Sequence, residues 1–332
     1  MAKAKEIVGL DCDASATEGI KLILSTRLDE VCELRTSALD WSSEDGVHDM
    51  RVASRRLRSA LRDFKPYLKQ RKLRSAVDAI KRIADSLGAV RDNDVAILAL
   101  NKLAEDTSIA VAVGIEQFAG QRRLRREKDR AALVEAIAED QILSLRKEFT
   151  RTLETTDRLN TSLRAVGTSV IETGVNDLRE ISTGLYHPLE TKPLHKIRIS
   201  AKRLRYAIEL FSNCWETELN QFAREFAEIQ TSLGDLHDCD VWIVEFGAYL
   251  EKHDLRGTSA ELSETDFVPS QQREASLWLL DHFTKKRTDY YRDALDRWNE
   301  WESSGFFARL EACLQIKPNL SSASKSLRFE VL

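Results

Sequence analysis

Apolar positions recur at intervals of three and four residues along most of the chain, and nowhere do they alternate with polar ones for long. That pattern predicts helices and no sheet. The stretch 15–38 carries Ile20, Leu24, Leu28, Val31 and Leu34 on one helical face, and 161–186 is a weaker version of it. Stretches 47–68 and 194–214 read as second helices, and 73–87 and 222–233 as third ones. The pairs Leu87-Gly88 and Leu233-Gly234 predict breaks, with the chain resuming near Asp92 and Asp238. A long fourth helix over about 115–138, and another over 271–299, completes each series. Residues 140–160 read as a polar linker, and those after Gly305, with serines at 321–326, as a tail.

The two series are not merely alike in helix order. VHDMRVASRRLRSAL (47–61) aligns without gaps to LHKIRISAKRLRYAI (194–208), giving the pattern H-x-x-R-x-x-x-(K/R)-R-L-R. IADSLGAVRDND (83–94) aligns to IQTSLGDLHDCD (229–240) at nearly the same displacement, with six of twelve positions identical. Two similarities at nearly one offset predict a duplicated unit. The reading is an all-α fold of two pseudo-symmetric four-helix bundles, 15–139 and 161–300, joined by 140–160 and followed by a tail over 301–332.

Composition agrees and adds little: 332 residues, 42% apolar and 31% charged, with 13 glycines and 5 prolines, describe a helical chain able to bury a core. No window is long and apolar enough for a membrane span or a signal peptide. Cys12, Cys32, Cys214, Cys239 and Cys313 are scattered, without a C-x-x-C pair, so the expectation is neither a disulfide framework nor a zinc site, and a reducing cytoplasm.

Charge changes the picture more. The net charge of −4 conceals a stretch from His48 to Arg91 with thirteen basic and four acidic residues, while Glu209 to Asp266 holds three basic and fourteen acidic ones. A local excess of about +9 in a mildly acidic chain points to a concentrated anion site. On a helical wheel starting at His48, Arg51, Arg55, Arg58 and Arg62 share one side, while Met50, Ala53, Leu57, Leu61 and Phe64 share the packing side. His195, Arg198, Lys202 and Arg205 repeat the basic ridge, with Ile197, Leu204, Ile208 and Phe211 facing the core. Like charges at i,i+4 cost roughly 0.2–0.5 kcal/mol per pair, so the ridge calls for an anion opposite it. Phosphate suits guanidinium forks, and a ridge roughly 16 Å long suits an extended ligand. The fourth helix adds Arg123, Arg126 and Arg130, and its counterpart Lys285, Lys286 and Arg287, to a predicted common channel.

The duplicated H-x-x-R-x-x-x-(K/R)-R-L-R helix followed by L-G-x-x-(R/H)-D-x-D resembles the CHAD family, the conserved histidine α-helical domain, over about residues 15–300. The resemblance implies two helical bundles around a basic central cavity, binding of inorganic polyphosphate, and association with polyphosphate granules. It implies that His48, Arg51, Arg55, Arg58, His195, Arg198, Lys202 and Arg205 line that cavity. Two positions depart between the copies: Glu209 stands where the first has Arg62, and His237 where it has Arg91. No segment resembles the triphosphate-tunnel hydrolase domain to which many relatives are fused.

Two other readings compete with a non-catalytic binder that needs no cofactor. His195, His237, Asp238 and Asp240 are candidate ligands for a metal-dependent phosphohydrolase of the helical His-Asp type. Arginines beside the histidines oppose a cation there, and capping with salt bridges is the simpler role for Asp92, Asp94, Asp238 and Asp240. Nucleic acid would also meet the basic ridges, but Phe64 and Phe211 lie on packing faces and no aromatic-basic surface alternates as stacking demands. His48 and His195 are candidates for phosphate contact or for helix caps. His187, His253 and His282 have no matching partners, and Cys239, replaced by Asn93 in the first copy, reads as a small buried residue.

Overall fold

The computed structural model describes residues 4–215, 218–254 and 270–315. The chain folds into α1 (Ala16–Glu33), the single turn α2 (Arg35–Ala38), α3 (Asp45–Asp63), α4 (Gln70–Glu105), α5 (Ile109–Ala136), α6 (Glu139–Glu154), α7 (Leu163–Ile181), α8 (Thr191–Phe211), α9 (Glu218–Asp254), α10 (Ser270–Ser303) and α11 (Phe306–Gln315). Among the described residues there is no strand, only one isolated bridge between Ser15 and Ser162. The all-α expectation holds, and α1, α3, α4, α5, α6 run in the same order as α7, α8, α9, α10, α11.

The predicted packing faces are the observed ones. Met50, Ala53, Leu57, Leu61 and Phe64 of α3, and Ile197, Leu204, Ile208 and Phe211 of α8, are buried. Each large apolar side chain so buried contributes roughly 1.5–3 kcal/mol. Phe64 and Phe211 meet edge to face, 5.7 Å between centroids, so the core runs continuously from one half into the other. A smaller core, with Phe118, Phe246 and Phe283, joins the far ends of α4, α5, α9 and α10.

Three expectations are corrected. The Leu-Gly pairs do not break the helices: α4 and α9 pass through Gly88 and Gly234 as rods of 36 and 37 residues. A glycine costs a helix roughly 1 kcal/mol, which neighbouring turns absorb. Each glycine faces an arginine of the basic ridge: a Cβ on Gly88 would stand 3.9 Å from Arg51 Nε, and one on Gly234 3.9 Å from Arg198 Nε, an ordinary contact distance. The stretch expected as a linker holds α6, whose Ile142, Leu145, Phe149 and Leu153 are buried at helical spacing, while its polar side sets the average composition. Likewise the tail begins with α11, which buries Phe306, Phe307, Leu310, Cys313 and Leu314. The serine-rich 321–326 lies outside the described residues.

The third correction concerns the cysteines. Cys12, ahead of α1, and Cys214, in the 3-10 turn after α8, form a disulfide across 202 residues, with Cα atoms 5.4 Å apart. Spacing along the chain carries no trace of such a pair, because the fold alone brings its ends together. The Arg164 amide donates to Cys12 O at 2.8 Å, and the Arg164 guanidinium grips Asp13 at 2.8 and 3.0 Å at the same seam. Scattered cysteines therefore no longer argue for a reducing compartment. Cys32, Cys239 and Cys313 are free thiols, and Cys239 is buried as expected. Among the described residues, no helix is long and apolar enough to cross a membrane.

Candidate functional site

Helices α3 and α8 pack against each other, and this brings the two basic ridges to one seam. Arg51 and Arg55 come from α3, Arg198, Lys202 and Arg205 from α8. Lys202 sits at the centre: burial, then the charges of Arg55, Arg198, Arg51 and Arg205, push its ammonium down to about 7. Burial also holds the Arg51 and Arg198 guanidinium groups below their ordinary range, with Arg55 pressing on both.

Acidic groups neutralise the cluster only in part. Arg51 Nη2 donates to Asp92 Oδ1 at 2.9 Å, and buried Arg205 donates to Glu209 at 2.7 Å and Gln230 at 3.3 Å. Asp238 lies near Arg198, its carboxyl pushed up by burial against the pull of that guanidinium. Among the described residues, however, Arg55, Arg198 and Lys202 form no salt bridge within 4.0 Å. Arg198 Nε is buried without a hydrogen-bond acceptor. Packing like charges without partners is unfavourable unless an anion completes the site.

The histidines lie at its ends. His195 and His237 approach with Nδ1 atoms 3.3 Å apart, and both are held below the ordinary histidine range by burial and by Arg198. His48 is lowered by burial and Arg91. It lies in the first turns of α3, not at the cap. Asp92, Asp94, Asp238 and Asp240 are mid-helix and cap nothing. Instead Arg126 reaches buried Asp94 at 3.3 Å, and Arg287 reaches Asp240 at 2.6 Å.

Several predicted ligands are engaged elsewhere. Arg58 is exposed and 3.7 Å from Asp85 of α4. Arg62 turns to Asp63 and Ser59, both at 2.7 Å, because an acceptor stands next to it in the chain. Arg123 pairs with Glu116 and Asn101, and Arg130 with Glu127 while lying 4.7 Å from the Trp41 centroid. Lys286 is exposed on α10 beside His282, and its neighbour Arg287 makes the contact equivalent to that of Arg126. A wheel gives the angle of a side chain but not the acid it turns to, whether on its own helix or the next.

Sequence reasoning singled out Arg91 but missed its partner and the other charged residues that flank the cluster. Arg91 pairs with Glu44 at 3.0 Å, and buried Glu30 of α1 binds Arg27 and Arg56 at 2.9 and 3.1 Å. Beside them a cavity of about 530 Å³ opens between α1, α3, α8 and α9, with His48, Arg55, Arg205, Tyr206 and Glu209 on its walls. The alternation of Arg55 on the ridge and Arg56 on its flank was the available signal. Among the described residues, no group of three or more His, Cys, Asp or Glu side chains gathers as a metal site, and Asp240 is engaged by Arg287.

Comparison with known proteins agrees with this geometry. A family model described as the CHAD domain matches residues 22–247. The crystal structure of the CHAD domain from the plant Ricinus communis superposes with a TM-score of 0.66 at 20% identity, covering 89% of this chain and 96% of that one. PptA from Streptomyces chartreusis superposes with a TM-score of 0.61 at 12% identity, covering 86% of this chain and 100% of that one. No curated protein sequence matches the chain.

Proposed function

Because the chain belongs to the CHAD family, we propose that it binds inorganic polyphosphate along the α3–α8 seam, without turning it over. The observation that carries this reading is the set of Arg55, Arg198 and Lys202, gathered on one seam with no salt bridge within 4.0 Å among the described residues and only Asp238 near Arg198 to offset their charge. A polyphosphate chain presents a charge on every unit, so a row of guanidinium forks grips it through paired donors. Each such bond is worth roughly 1.5–3 kcal/mol. Lys202 adds a charge that the bound anion itself restores, so binding above neutral pH takes up a proton. His48 and His195 extend the same surface as neutral hydrogen-bond donors that become cationic only toward acid pH, and Arg51 and Arg205 hold its edges in register through Asp92, Glu209 and Gln230. No cofactor enters this scheme. Association with polyphosphate granules is part of the proposal.

A filter-binding titration with polyphosphates of defined length tests it. The expected result is tight binding that weakens steeply with salt, by analogy with counterion release from nucleic acids, and no release of orthophosphate. A flat salt response, or equal affinity per phosphate for single-stranded RNA at matched salt, overturns the reading. Sustained phosphate release overturns its non-catalytic part and favours the hydrolase alternative, to which the His195–His237 pair would then belong.

A further inference from the structure

The repeat is kept on the seam and abandoned one turn later. At the offset that aligns α3 with α8, Tyr206 stands where the first half has Ser59, Glu209 where it has Arg62, and Leu210 where it has Asp63. All three second-half residues line the 530 Å³ cavity that also contains Arg55 and His48. The corresponding place beside α7 is a cavity of about 280 Å³ holding Arg62 and Asp63, and none of Arg51, Arg55, Arg198 or Lys202 lines it. Only the larger cavity opens onto the cationic cluster, and only there did the wall change character.

That wall is mixed: Arg27 and Arg56 join Arg55 on it, but beside them stand groups for which an inorganic phosphate chain has no use. Val52, Ala60 and Leu210 form an aliphatic surface, Tyr206 adds an aromatic ring, and the Glu209 carboxylate repels an anion while accepting from N–H donors. Gln230 and Asn220 add carboxamides that both donate and accept. A volume of this size, partly apolar with a few polar groups, matches a small organic ligand. We propose that the cavity is a subsite for a nucleoside oligophosphate: the phosphates lie on Arg55 and His48 toward Lys202, and the base lies against Tyr206 and the aliphatic wall, reading Glu209 and Gln230 with its N–H edge. Arg205, whose guanidinium carbon lies 5.5 Å from the Tyr206 centroid, links the base side to the phosphate side. The assignment rests on the phosphate-binding reading of the seam and names an additional ligand for it.

The test compares ATP and GTP with tripolyphosphate by isothermal titration at matched ionic strength, with long-chain polyphosphate in parallel. At least one nucleotide is expected to bind tenfold or more tightly than tripolyphosphate, although it carries less charge. The double substitution Tyr206→Ser with Glu209→Arg, which imports the first half's residues, is expected to strengthen tripolyphosphate binding and erase the preference, with circular dichroism reporting an intact fold. Nucleotides binding no more tightly than tripolyphosphate overturn the subsite and leave polyphosphate binding standing, as does a preference that survives the double substitution. Nucleotide binding without binding of either inorganic chain supports the cavity and overturns the polyphosphate reading. Failure of every ligand overturns both.

Discussion

Helices α3 and α8 are the same sequence idea used twice, and they agree only where they face each other. Their leading turns place Arg51 and Arg198 over Gly88 and Gly234 at the same 3.9 Å, and set Arg55 against Lys202. Their final turns separate: Arg62 and Asp63 pair within the chain, with burial pushing the Asp63 carboxyl up to about 6, whereas Glu209 and Leu210 shape an open cavity. A shared surface holds its two contributors to one chemistry. Beyond that surface, where each copy lines a different cavity, the two are free to diverge.

The comparison breaks first at the centre. Arg55→Ala combined with Lys202→Ala removes the matched pair, and polyphosphate affinity is expected to fall at least a hundredfold, about 2.7 kcal/mol, with helicity by circular dichroism unchanged. Retained filter binding would mean that the seam is not the site. Next come the glycines. Gly88→Leu and Gly234→Leu each put bulk where an arginine lies, and each is expected to weaken binding about tenfold. Equal losses would show that the halves share the load, and a loss from one alone would assign the ligand to that half.

Proton uptake sharpens the same point. Lys202 is held near 7, below its value in an unfolded chain. Its protonation therefore opposes folding: stability of the free protein falls as pH drops from the ordinary lysine range to about 7, and the penalty is fully present below that. A bound polyanion raises the group again. Affinity is thus expected to fall about tenfold between pH 6 and pH 8, one proton's worth per unit above pH 7. The groups facing Lys202 sort the contributions: Arg51 and Arg55 on α3 and Arg198 and Arg205 on α8 stay charged, while His195 and His237, lowered by the same neighbours, add affinity only toward the acid end. Lys202→Arg should flatten the slope above pH 7. The smallest expected effects lie outside the seam. Arg62→Ala, Arg123→Ala and Lys286→Ala should change affinity less than about twofold, since the first two are satisfied by Asp63 and Glu116 and the third is a surface charge screened by salt.

Much of this was legible before any coordinates. Helix identity, the packing faces of α3 and α8 and the basic ridges follow from periodicity, because the α-helix converts spacing into angle directly. What escaped depended on which neighbour, near or far along the chain, each side chain meets. Gly88 and Gly234 looked like stops because a glycine's helical cost is local, while the packing that carries α4 and α9 through them comes from other helices. The α6 stripe of Ile142, Leu145 and Phe149 was diluted by charged residues around it. Arg58, Arg62 and Arg123 shared the ridge's composition and spacing, yet each found a nearer carboxylate.

The bond between Cys12 and Cys214 straddles the junction from α6 to α7. A protease nick anywhere within 155–161 would sever the backbone and still leave one molecule, since each fragment would keep one sulfur of the cross-link. Such cleaved protein should run as a single species on a non-reducing gel and as two bands once thiol is added, and one piece of the pair should not wash away from the other while the link is intact.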